Sequence, residues 1–251
     1  GYSPIPAQAR TPATALPMSP GTVLVKGAKL TSRSGKHTLE VGTDGNFVVR
    51  PAAGGYVWGL DKIVPNLAQA RLNQVEFRPD GSLGSYSEKR ERKWGAEMIA
   101  APDPRAVLDL TDEGVLQITT STSEISWSSL GAATQLPAKV GFLLKKGTKL
   151  VSPSGNHILT VGNDGNLVVT TKTGGYVWGL DQVVKFGEVR VDRIGLRANG
   201  RFTAYDAKGT VLWDAPVTRL DPKAQLTVSD KGAVQIVAQN GQILWASDGG
   251  R

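Results

Sequence analysis

Every tryptophan of this 251-residue chain stands thirteen residues after a glycine. The pairs are Gly45–Trp58, Gly81–Trp94, Gly114–Trp127, Gly165–Trp178, Gly200–Trp213 and Gly232–Trp245. Only 30 residues are glycine, so a match at all six tryptophans marks a repeat, and the chain reads as six copies of one unit. Inside each unit, short alternating strands are broken by Gly, Asn, Asp and Ser turns. Four of these glycines follow an acidic residue (Asp44, Asp80, Glu113, Asp164), where a tight turn calls for positive φ.

The units are grouped. SGKHTLEVGTDGNFVV at 34–49 returns as SGNHILTVGNDGNLVV at 154–169, and GGYVWGLD at 54–61 returns at 174–181, both 120 residues on. The expected layout is a Pro-rich arm at 1–19, a first domain at 20–130, a linker at 131–140 and a second domain at 141–251. One short sheet cannot bury its apolar face, whereas three sheets around a pseudo-threefold axis can. Alternation assigns Leu39, Val41, Phe47 and Val49 to the core face of the first unit. It assigns Gly42, Asp44, Asn46, Val48 and Arg50 to an outward ledge. One tryptophan per sheet fills a three-sided core. The expected fold class is all-β.

Composition narrows the function. The chain has no cysteine, which removes disulfides and thiolate metal sites. It has no apolar run of the roughly 18 residues a membrane span needs. Nucleophile elbows, P-loops, dinucleotide fingerprints and HExxH motifs are missing. The expectation is a non-enzymatic protein without metal or cofactor. His37 and His157 occupy equivalent strand positions with no recurring partner and read as structural. The net charge of +7 allows anionic partners. The basic residues are spread, however, and the dense run Lys89, Arg90, Arg92, Lys93 is interrupted by Glu91 in a hairpin loop, so no nucleic-acid partner is expected. The Pro- and Ala-rich start, without an apolar h-region, looks like a mature end, and the expected location is secreted or cell surface.

These residues resemble the bulb-type, or monocot mannose-binding, lectin family. The resemblance covers nearly all of 21–248 and implies two tandem type II β-prisms, each of three four-stranded sheets. The family motif is Gln-x-Asp-x-Asn-x-Val-x-Tyr on one strand face, where polar groups hold sugar hydroxyls and Val packs on the apolar sugar face. Asp44, Asn46 and Val48 match it, as do Asp164, Asn166 and Val168. Gly42 and Gly162 stand at the Gln position, and Arg50 and Thr170 at the Tyr position. An Asp-Gly-Asn turn would also favour these residues for its own backbone bonds, so both readings stay open. The middle units carry Arg78, Asp80 and Tyr86, and Arg197 and Tyr205. An arginine fork beside an aromatic hydroxyl points to an acidic sugar such as a uronic acid. The third units keep nothing of the motif. Expected partners are glycans, either neutral mannosides or acidic polysaccharide, held by several weak sites together. Alternatives are a lectin-like bacteriocin or toxin, and a protein-interaction scaffold with vestigial sugar sites. The resemblance also implies strand exchange between the two domains, or a dimer.

Overall fold

The computed structural model describes residues 8–188 and 190–250. The chain divides into two compact units. Unit one runs through Met98 and takes in Pro102–Thr122 and Ser126–Ser129; unit two holds Ile99–Ala101, Ser123–Ile125 and the chain from Leu130. The architecture is all-β, with one four-residue helix, Leu67–Ala70, and two 3-10 turns, Leu60–Lys62 and Leu180–Gln182, among the described residues.

Each unit is a three-sheet prism. In unit one the first sheet is Lys29–Thr31, His37–Val41, Phe47–Pro51 and Trp58–Gly59. The second is Thr11–Pro12, Thr22–Val25, Leu72–Phe77, Leu83–Ser87 and Arg92–Gly95. The third is Val107–Leu110, Leu116–Thr119 and Ile125–Ser128. Unit two repeats the plan. Its first sheet is Lys149–Val151, His157–Val161, Leu167–Thr171 and Tyr176–Gly179. Its second is Leu144–Lys145, Arg193–Leu196, Phe202–Tyr205 and Val211–Asp214, and its third is Ala138–Lys139, Gln225–Val228, Val234–Val237 and Ile243–Ala246.

The predicted core face is the core. Leu39, Val41, Phe47 and Val49 are buried, and the tryptophans meet edge to face along the axis of each prism. Trp127 lies 5.8 Å from Trp58 and 5.7 Å from Trp94; Trp245 lies 6.2 Å from Trp178 and 5.5 Å from Trp213. Such pairs add about 0.5–1.5 kcal/mol each beyond the area they bury.

The repeated glycines close the ring of sheets. All six have positive φ, from +77° at Gly165 to +91° at Gly81. They also lie where a neighbour leaves no room for a Cβ. A Cβ at Gly45 would sit 2.8 Å from the Leu72 carbonyl oxygen, one at Gly81 2.1 Å from that of Asp103, and one at Gly114 2.7 Å from His37 Nε2. Thus the first sheet's turn packs on the second sheet, the second's on the entry to the third, and the third's back on the first. Unit two repeats this cycle with Gly165 on Arg190, Gly200 on Asp221 and Gly232 on His157. The paired histidines are therefore wall residues beneath a neighbouring turn.

Two expected segments turn out to be structural. Residues 131–140, expected as a linker, supply the strand Ala138–Lys139, which pairs with Gln225–Val228. The arm expected at 1–19 does the same for unit one from residue 8 onward, while its residues 1–7 lie outside the described residues. Thr11–Pro12 pairs parallel to Thr22–Val25, and Met18 exchanges backbone bonds of 2.8 and 3.0 Å with Leu108. Leu16 and Leu136 are buried before prolines with cis peptide bonds. Among the described residues, Ala138–Lys139 joins the third sheet of unit two, and Met18 bridges Leu108 of the third sheet of unit one.

Candidate functional site

The ledge of each first sheet begins at a turn. Asp44 Oδ1 accepts from the Asn46 backbone N–H at 2.9 Å, and Asp164 Oδ1 from Asn166 at 3.1 Å. The turn closes through Gly45 N–H to the Gly42 carbonyl at 2.9 Å. A Cβ at Gly42 would stand 2.5 Å from Asp44 Oδ1, and one at Gly162 2.7 Å from Asp164 Oδ1. A side chain at the motif's Gln position therefore requires the aspartate tip to move from its place in this turn. Arg50, at the motif's Tyr position, folds back on its own sheet, donating to the Gly55 carbonyl at 2.7 Å and pairing with Glu40 at 3.1 Å. Val48 is buried on the ledge side and Val168 half-buried, so the ledge is more covered than alternation alone predicts.

Beside this turn lies a polar node outside the sequence motif. Asn46 is buried; its Nδ2 donates to Asp61 Oδ1 at 3.1 Å, and the Asp61 N–H returns to Asn46 Oδ1 at 3.3 Å. Tyr56 Oη donates to the same Asp61 Oδ1 at 2.8 Å. Gly59 makes the convergence feasible, because a Cβ there would meet Asp61 Oδ1 at 2.5 Å and Asn46 Nδ2 and Tyr56 Oη at 3.1 Å. Unit two brings the same three groups together, without the side-chain bonds to the aspartate: a Cβ at Gly179 would meet Asp181 Oδ1 at 2.5 Å and Asn166 Nδ2 and Tyr176 Oη at 2.9 Å. There the Asp181 N–H donates to Asn166 Oδ1 at 3.1 Å. The aspartates and tyrosines are open to solvent, with Tyr56 43 % and Tyr176 57 % exposed. Desolvation works to raise the Asp61 carboxyl, but the bonds from Tyr56 and Asn46 and the Lys62 charge outweigh it, so it lies below its ordinary value. Tyr56 is pushed up to about 12 by desolvation, its bond to Asp61 and the Asp61 charge. Both of these side-chain bonds reach Asp61 Oδ1 rather than Oδ2.

Sequence reasoning missed Tyr56, Asp61, Tyr176 and Asp181. The signal was the verbatim repeat GGYVWGLD. Alternation places a tyrosine two before a tryptophan on the tryptophan's face. In unit two the outer strand instead carries a bulge: Val169 pairs with Trp178, and the next residue, Thr170, pairs with Tyr176. The extra residue turns the tyrosine onto the ledge.

The middle-sheet residues Arg78 and Tyr86 do share a face, but that face is closed. Glu76, 0 % exposed, accepts from Arg78 Nη1 at 3.1 Å, Gln74 Nε2 at 3.0 Å, the Ala9 N–H at 3.1 Å and Arg90 Nη1. Arg78 Nη1 also donates to Tyr86 Oη at 2.5 Å, and the Arg78 and Arg90 guanidiniums lie 5.2 and 4.9 Å from the buried Tyr86 ring. The carboxylate expected from a ligand is supplied internally. Asp80 is a turn residue, with Oδ1 accepting from Ser82 N–H and Oγ. In unit two, Arg197 Nη2 grips Asp214 at 3.0 and 3.1 Å, and Tyr205 is buried with Ile99, Ala100 and Leu143. Burial pushes the Tyr205 hydroxyl well above its ordinary range, with the Glu124 charge adding to it. No group of His, Asp and Glu among the described residues is placed to hold a metal ion.

No protein-family model matches the chain, and no curated protein matches it. Solved structures do. A lectin from Marasmius oreades is similar over 47 % of this chain and 98 % of its own, at 18 % identity and TM-score 0.39. The fetuin-binding, two-domain agglutinin of Scilla campanulata is similar over 90 % of this chain and 93 % of its own, at 17 % identity and TM-score 0.33. An Allium sativum lectin shares 26 % identity over 40 % of this chain and 90 % of its own, at TM-score 0.33.

Proposed function

We propose that this protein is a non-enzymatic, lectin-like glycan-binding protein, secreted or displayed at a cell surface, whose sugar sites are the first-sheet ledges of its two units. The observation that carries this reading is the node built twice, Asn46–Asp61–Tyr56 and Asn166–Asp181–Tyr176. Each pairs an exposed carboxylate with an exposed aromatic ring; in the first, the carboxylate is oriented by hydrogen bonds from Asn46 and Tyr56. A carboxylate accepts from sugar hydroxyls, and a ring packs on the apolar sugar face. Such shallow sites are individually weak, and two of them gain by acting together. The middle-sheet arginines take no part, because their charges are met by Glu76 and Asp214.

A glycan array probed with the full chain tests the proposal, alongside a variant carrying Asp61→Ala and Asp181→Ala. Glycan binding by the native chain, lost in the variant, is the expected result. Binding that survives in the variant would move the site elsewhere. No binding by the native chain would favour a docking scaffold.

A further inference from the structure

The two nodes carry different charges, and we infer that the first takes an acidic sugar while the second takes a neutral one. The inference rests on the glycan-binding reading above. Asp61 is followed by Lys62, whereas Asp181 is followed by Gln182. Lys62 Nζ lies 5.1 Å from the Tyr56 ring centroid and donates to the Val57 carbonyl at 3.3 Å. It makes no ion pair with Asp61, although its charge acts on that carboxyl. An ammonium has three donors, and the Val57 carbonyl takes one of them. In the second node the same position is neutral, and Gln182 Nε2 donates to Tyr176 Oη at 2.8 Å. The other end of the ledge adds no net charge in either unit: Arg50 is paired with Glu40 in unit one, and Thr170 and Thr160 stand there in unit two.

A uronic acid fits the first node on both counts. Its ring hydroxyls donate to Asp61 Oδ2, and its carboxylate meets the Lys62 ammonium beside the Tyr56 ring. At the second node a carboxylate would meet Asp181 with no cation from this position, whereas a hydroxymethyl group would not be repelled. This places the acid-sugar preference in a lysine of a 3-10 turn rather than in Arg78 and Arg197, which already hold Glu76 and Asp214.

The test is calorimetric titration of the full chain at low salt with two probes that differ only at C6, an oligomannuronate and an oligomannoside of equal length. The native chain, Lys62→Gln and Gln182→Lys are compared. The native chain is expected to bind both probes. Lys62→Gln should weaken the oligomannuronate about threefold and leave the oligomannoside unchanged, as suits one exposed charge contact. Gln182→Lys should strengthen the oligomannuronate by a similar factor, and both effects should fade with added salt. Equal response of the two probes to both variants would overturn the charge assignment while leaving glycan binding intact. Binding of neither probe by the native chain would overturn the glycan reading and this inference together.

Discussion

Glu76 shows how one residue can be closed off from function by its partners. Its carboxylate is fully buried yet satisfied by Arg78, Arg90, Gln74 and the Ala9 N–H. Burial alone would raise its pKa, but the bonds from Arg90, Gln74 and Ala9 prevail and hold it below the ordinary 4.5. The sign follows: the cluster's stabilisation is present above about pH 4.5 and is lost as pH falls through the lowered folded value. Glu76→Gln leaves two guanidiniums without their carboxylate. It should cost about 3–5 kcal/mol in denaturant unfolding and flatten the acid limb of the stability profile. Gly114 makes a second test at this scale. Gly114→Ala forces an alanine into φ +83° against His37, at a cost of roughly 1–3 kcal/mol. Adding His37→Ala should recover only the steric part, and a double-mutant cycle on unfolding free energies reads out the coupling.

At the scale of elements, the segment that enters each prism joins its sheets, through Thr11–Pro12 and Met18 in unit one and Ala138–Lys139 in unit two. Ala13, Thr14, Leu16 and Pro17 recur as Ala133, Thr134, Leu136 and Pro137, a repeat hidden by its shortness and by the prolines around it. Met18 is buried and bridges Leu108 in both directions. Met18→Ala should cost about 2–4 kcal/mol, and the Leu108 amide should lose protection against hydrogen exchange more than the Leu116 amide does. The outer strands illustrate a subtler point. Register shifts recur just after the residues facing Trp94, Trp178, Trp213 and Trp245, at Ser85/Tyr86, Val169/Thr170, Ala204/Tyr205 and Ile236/Val237. A bulge there lets one strand send its tryptophan inward and the residue two before it outward, Arg92 and Tyr176 among them.

The whole molecule carries two first-sheet ledges, and its binding should depend on both. On a surface dense in both an acidic and a neutral glycan, Asp61→Ala alone should speed dissociation about tenfold or more, while the second site keeps its affinity for the neutral sugar free in solution. Surface plasmon resonance at high and low glycan density separates these outcomes: equal dissociation at both densities would show that the sites act alone.

The glycine-to-tryptophan register settled the six-unit repeat, the three-sheet plan and the core face. Those features depend on local turn chemistry and on a two-residue side-chain period, both written directly in the chain. The same register showed Asp44 and Asp164 to be turn formers as readily as sugar ligands. Tertiary structure decided which polar residues remain available. Burial depends on what covers a ledge, and the partner of a charge can come from anywhere in the fold. Glu76, two residues before Arg78 in the strand Leu72–Phe77, takes Arg78 out of play, and Asp214, at the end of the strand Val211–Asp214, does the same for Arg197. A single bulge, invisible to strict alternation, turned Tyr176 from the core toward solvent.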